Sequence, residues 1–107
     1  MTRLDTLLTM LATEPTDAFL LFALAKEYET AGNDAEALGF YLKCRSHNPD
    51  YVGLYYHLAK LYERKQQIDT AITIYDAGMA VAKAQNNRHA WNEMAIARSE
   101  WVDDDEF

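Results

Sequence analysis

His47, His57 and His89 are the side chains best suited to hold a metal, and Cys44 is the sole thiol. The three histidines fall at none of the short spacings that bring ligands onto one ion. Surface or capping roles are the reading they support. Cys44 is read as a small buried side chain and not as a reactive nucleophile. No nucleophile–base pair, phosphate-cradling loop or metal cluster accompanies them. The chain is therefore expected to be no enzyme, with no catalytic residue, metal or cofactor. The chemistry that remains is recognition. Lys26 and Lys60 stand thirty-four residues apart, and so do Phe22 and Tyr56. Such a set could contact an acidic, partly apolar peptide. It could also be two solvated lysines beside Glu29 and Glu63, with the rings packed against helix ends.

The spacing of these pairs belongs to a larger repetition. Leu24-Ala25-Lys26-Glu27-Tyr28 returns as Leu58-Ala59-Lys60-Leu61-Tyr62, and Ala37 and Tyr41 return as Ala71 and Tyr75. Pro15 and Pro49 are one period apart as well. A fixed period between 20 and 50 residues is the sequence sign of a stacked repeat array.

Composition sets the outer bounds. The 107 residues suit one domain, long enough to bury a real core. Half are hydrophobic and a quarter charged, with only two prolines and four glycines, which favours long regular elements. The net charge is −7, and four of the 17 acids are the run Asp103 to Glu106. The rest is mildly acidic and carries no basic patch, so nucleic acid is not an expected partner. One cysteine permits no internal disulfide and fits a reducing, cytoplasmic compartment. The N-terminal apolar residues are interrupted by Asp5, Thr6 and Thr9, which makes an amphipathic helix and not a signal peptide. No apolar run is long enough to span a bilayer.

Helix signals can be read in order. Thr2 and Asp5 have capping-box spacing, and Leu4, Leu7, Leu8 and Leu11 form one stripe that Pro15 ends. Thr16 is the expected N-cap of a second helix, whose buried side is Leu20, Leu21, Leu24, Ala25 and Tyr28. Gly32 suits a left-handed turn. Asn33 starts a third helix with Ala37, Leu38, Tyr41 and Cys44 on one face. Asp50 is expected to cap the fourth, with Tyr51, Leu54, Tyr55, Leu58, Ala59 and Tyr62 inside. Lys65-Gln66-Gln67 has no glycine, so a less sharply defined turn is expected there. The fifth helix carries Ala71, Ile72, Ile74, Tyr75 and Met79 and, without a proline near position 83, runs to about Gln85. The sixth begins near Asn86 or Asn87 and carries Trp91, Met94, Ala95, Arg98 and Trp101.

Leu21-x2-Leu24-Ala25-x2-Tyr28, Ala37-x3-Tyr41 and Pro49 together resemble the tetratricopeptide repeat. Tyr55-x2-Leu58-Ala59-x2-Tyr62 with Ala71-x3-Tyr75 is a second copy, and Trp91-x2-Met94-Ala95 resembles the opening of a third. Gly78 in place of Cys44, Lys83 in place of Pro49 and Arg98 in place of an aromatic depart from the pattern. The resemblance implies an all-α helical-hairpin solenoid, an alpha-alpha superhelix of about six helices. It divides a single domain, 1–102, into an N-terminal half-repeat helix (1–15), repeats at 16–49 and 50–85, and a C-terminal capping helix (86–102). An acidic tail, 103–107, follows.

The resemblance further implies a non-catalytic protein–protein interaction module or adaptor that binds a peptide segment of a partner in its concave groove. The first helix of each pair lines that groove in the family. The matching positions here are Phe19, Phe22, Lys26 and Glu29, then Gly53, Tyr56, Lys60 and Glu63, then His89, Asn92 and Ile96. The carboxylate clamp of some members matches Phe22, Lys26, His57, His89 and Glu93. Only Lys26 is basic and Glu93 would repel a carboxylate, so chaperone-tail binding is not expected. The alternative role is structural, a homodimer through an apolar strip of Trp91, Met94 and Trp101 on the terminal helix.

Overall fold

The structure is a computed structural model that describes residues 1–102. Six α-helices and no strand occur among those residues: α1 (Arg3–Thr13), α2 (Ala18–Thr30), α3 (Asp34–His47), α4 (Gly53–Arg64), α5 (Ile68–Ala84) and α6 (Arg88–Ser99). The acidic tail, 103–107, lies outside the described residues. The chain forms two compact units, Met1–Leu54 and Tyr55–Phe107, divided within α4.

Local chemistry sets the helix starts. Thr2 and Asp5 exchange bonds: Asp5 N–H donates to Thr2 Oγ1 and Thr2 N–H to Asp5 Oδ2, each at 3.1 Å. Asn33 Oδ1 accepts from Glu36 N–H at 3.1 Å, and Asn87 Oδ1 accepts from Ala90 N–H at 3.1 Å. Two starts differ from the sequence reading. Asp17, and not Thr16, caps α2, its Oδ1 accepting from Leu20 N–H at 2.9 Å. Thr16 has a different task, since its carbonyl accepts from Asn48 Nδ2 at 2.9 Å and ties the two ends of the α2–α3 hairpin. The fourth helix begins at Gly53, three residues beyond Asp50. A turn in which Tyr51 N–H donates to Asn48 O at 3.0 Å comes first and postpones it.

In the first unit α2 packs against both α1 and α3. Leu7, Leu20, Ala23 and Leu24 form a buried cluster, with Leu4, Leu11, Tyr28 and Phe40 packed against it. Tyr28 and Phe40 stack, centroids 5.5 Å apart and planes 8° from parallel. Ala25, Ala37, Tyr41 and Cys44 are fully buried, so the small alanines leave room for one tyrosine ring between the helices of the hairpin. In the second unit α5 packs against α6, and its interior holds Tyr55, Leu58, Ala59, Leu61, Ala71, Tyr75, Ala82 and Met94.

One turn recurs at the end of α2, α4 and α5. Gly32 (φ +79°), Gln66 (φ +63°) and Asn86 (φ +55°) each take the left-handed conformation. Each donates its N–H to the carbonyl three residues back (Glu29, Glu63, Lys83), at 2.9, 2.9 and 3.1 Å. The next residue donates to Tyr28, Tyr62 or Ala82, at 2.8, 2.9 and 2.8 Å. The turn at 65–67 is thus as well defined as the glycine turn, contrary to the sequence reading. The backbone bonds, which any residue can make, fix it.

Candidate functional site

The first helix of each hairpin, α2 and α4, carries most of the residues singled out for recognition. Phe19 stands 57% exposed near the start of α2. Phe22 is half-buried one turn on, its ring 6.1 Å from Tyr41 and 5.6 Å from Tyr51. Lys26 follows, its Nζ 3.8 Å from Glu29 Oε1.

The same order appears on α4. Tyr56 is half-buried, edge-on to His57 with centroids 5.4 Å apart. Lys60 Nζ lies 5.7 Å from the Tyr56 ring centroid and 3.5 Å from Glu63 Oε1. Gly53 is exposed at the helix start.

Each glutamate has a second task that the sequence did not disclose. The Tyr41 hydroxyl donates to Glu29 Oε1, and the Tyr75 hydroxyl donates to Glu63 Oε2. The structure therefore builds the same triad twice, Lys26–Glu29–Tyr41 and Lys60–Glu63–Tyr75. A buried phenol from the second helix of the hairpin anchors a carboxylate on the first, and that carboxylate holds a half-exposed lysine. Burial, then the bond to Glu63 and its charge, push the Tyr75 phenol far above the ordinary tyrosine range. It remains a donor at any physiological pH. The signal in the sequence was the shared twelve-residue separation of Glu29 from Tyr41 and of Glu63 from Tyr75. Only the packing of two helices shows that this separation closes a hydrogen bond.

The groove residues assigned to α6, His89 and Asn92, are exposed, as are Glu93 and Ile96. Met94 is buried against the second unit's interior, whereas Trp91 is 39% exposed and Trp101 43%. Arg98 pairs with Asp76, Nε to Oδ1 at 2.6 Å, which joins α6 to α5 where the repeat pattern has an aromatic.

Cys44 is fully buried and its Sγ donates to Ala18 O at 3.5 Å. Burial first, and the nearby Asp17 second, push its thiol up to about 11. That is the opposite of what nucleophilic chemistry needs. Among the described residues no group of His, Cys, Asp and Glu is placed to hold a metal, and no helix is long and apolar enough to cross a membrane.

No protein-family model matches the chain, and no curated protein matches it. Solved structures do. It is similar to the crystal structure of a tetratricopeptide repeat domain protein from Salinibacter ruber, with 38% identity and a TM-score of 0.75, over 78% of this chain and 93% of that one. It is also similar to a solution NMR structure of a tetratricopeptide repeat domain protein from the same organism, with 35% identity and a TM-score of 0.79, over 87% and 94% of the two chains.

Proposed function

The chain belongs to the tetratricopeptide repeat family, whose fold is a protein-interaction module, and from that premise we propose that it binds a peptide segment of a partner protein and catalyses nothing. The repeats at 16–49 and 50–85 each contribute one set of contacts, Phe19, Phe22, Lys26 and Glu29 from α2 and Tyr56, Lys60 and Glu63 from α4. The observation that carries this reading is the doubled triad. Tyr41 and Tyr75 hold Glu29 and Glu63, which hold Lys26 and Lys60, each one turn beyond a half-buried aromatic ring. A triad of that kind pre-orders long side chains before a ligand arrives, which lowers the entropic cost of binding. It also balances each lysine with an acid. The favoured ligand is therefore a segment with apolar or aromatic anchors and mixed polarity, in place of a run of acids.

The test is capture of a partner from host lysate, followed by reconstitution with the purified partner. Phe19→Ala with Tyr56→Ala and Lys60→Glu is the variant to compare, because these side chains are exposed or half-exposed. Phe22 is kept, since it packs on Tyr41 and Tyr51. Loss of the purified partner, with helical circular dichroism unchanged, supports the reading. Equal affinity of variant and wild type refutes it.

One observation favours a second reading, a homodimer through α6 and the turn after it, because Trp91 and Ile96 on the helix and Trp101 in the turn are 39%, 68% and 43% exposed. Light scattering on a gel-filtration column decides it. A dimer that becomes a monomer on Trp101→Glu supports self-association, and a wild-type monomer across concentrations rules it out.

A further inference from the structure

The turn between α5 and α6 encloses a cleft of about 430 Å³. That volume is within the range of small-ligand sites, roughly 300–1,000 Å³. Lys83 and Asn86 line it from the end of α5, and Arg88, Trp91 and Asn92 from the start of α6. We propose that this cleft is a second binding site, separate from the contacts on α2 and α4, and that it takes an acidic peptide segment with one aromatic or large aliphatic side chain.

Three observations point to that occupant. First, both charged side chains lining the cleft are cations, in a chain whose net charge is −7. Second, Lys83 and Arg88 make no ion pair among the described residues, whereas Arg3, Lys26, Lys60 and Arg98 each have an acid within reach. Third, the Trp91 indole, 39% exposed, lines the same cleft. An indole gives an apolar seat with little entropy to lose, and cations in the same lining suit carboxylates next to the residue seated there. Asn86 and Asn92 add amide donors and acceptors. Asn87 does not, because its side-chain oxygen is occupied by Ala90 N–H. A polynucleotide, which also pairs stacking with phosphate, is disfavoured because two cations make no extended basic track for its backbone.

The experiment titrates the full chain with a blocked pentapeptide, Glu-Asp-Phe-Asp-Glu, and follows amide and indole chemical shifts. Perturbation centred on Lys83, Asn86, Arg88 and the Trp91 indole is expected. The neutral peptide Gln-Asn-Phe-Asn-Gln should bind more weakly. Lys83→Glu with Arg88→Glu should lower the affinity roughly tenfold or more, and added salt should lower wild-type binding in the same direction. Both side chains are exposed, so the variant keeps its fold. No perturbation at millimolar peptide overturns the proposal. So does an affinity indifferent to the charge reversal, a shift map centred on Phe22, Lys26, Tyr56 and Lys60, or a preference for adenosine monophosphate over the peptide.

Discussion

A Cβ built at Gly78 would lie 2.5 Å from Met94 Sδ and 2.5 Å from Tyr55 Cβ. The sulfur is the end of a flexible side chain and can move. The tyrosine Cβ is fixed to its backbone and cannot. Alanine is the better helix former by about 1 kcal/mol, yet overpacking typically costs about 1–3 kcal/mol. Gly78→Ala is therefore expected to destabilise the protein despite its better propensity. A lower urea midpoint with an unchanged m-value is the measurement that checks it. The position was visible in the sequence as a departure from the repeat, one period after Cys44, but its cause was not. A close approach between helices leaves no trace in one chain's periodicity. The same holds for Glu29 and Glu63, which the sequence offers as groove positions or as acids beside two lysines, with no sign of the tyrosine hydroxyls that donate to them.

At the scale of elements, the three left-handed turns separate backbone from side-chain contributions. Gln66 occupies the conformation that Gly32 occupies one repeat earlier, and a side chain there costs about 1–2 kcal/mol. Part of that is returned by the freedom glycine adds to the unfolded chain, about 0.4–1 kcal/mol. Gln66→Gly should stabilise the protein by about 0.5–1 kcal/mol, read as a higher urea midpoint. The next residue differs too. Gln67 makes no side-chain cap bond for α5, whereas Asn33 caps α3. Gln67→Asn should add about 0.5–1 kcal/mol more, and a double variant with no gain over Gln66→Gly would refute that. The helices themselves were legible from apolar spacing, because 3.6-residue periodicity survives in any register. Their first residues were less so. Thr16 and Asp17 are both good caps, and the choice fell to Asp17 when Asn48 claimed the Thr16 carbonyl from thirty-two positions away.

For the whole molecule, both units hold groups that prefer to stay protonated. Cys44 and Tyr51 in the first unit and Tyr75 in the second are all raised, chiefly by burial. The unfolded chain then releases these protons at lower pH than the folded one. Stability from this source is complete below the ordinary thiol value of 9.0 and falls as pH rises, the Cys44 share being spent near 11. The melting temperature should drop steadily above pH 9, and Tyr75→Phe should flatten the decline at its most alkaline end. An alkaline slope identical in the variant would remove Tyr75 from the explanation. Family membership at this scale was written in two in-register copies of one phrase. The cleft beside Trp91 was not, since it arises where one helix stops and the next begins, and periodicity does not show how the two ends meet.

Both tryptophans, Trp91 and Trp101, belong to the second unit, and the only thiol, buried Cys44, belongs to the first. Nature has thus installed two spectroscopic reporters that do not overlap. Indole emission watches one half of the chain, and the rate at which a disulfide reagent finds Cys44 watches the other. Followed together through a denaturant series, they show without any engineered label whether the halves melt as one body or in turn. If thiol exposure precedes the fluorescence change, the first half opens while the second still stands. If the curves superimpose, the array behaves as a single cooperative unit.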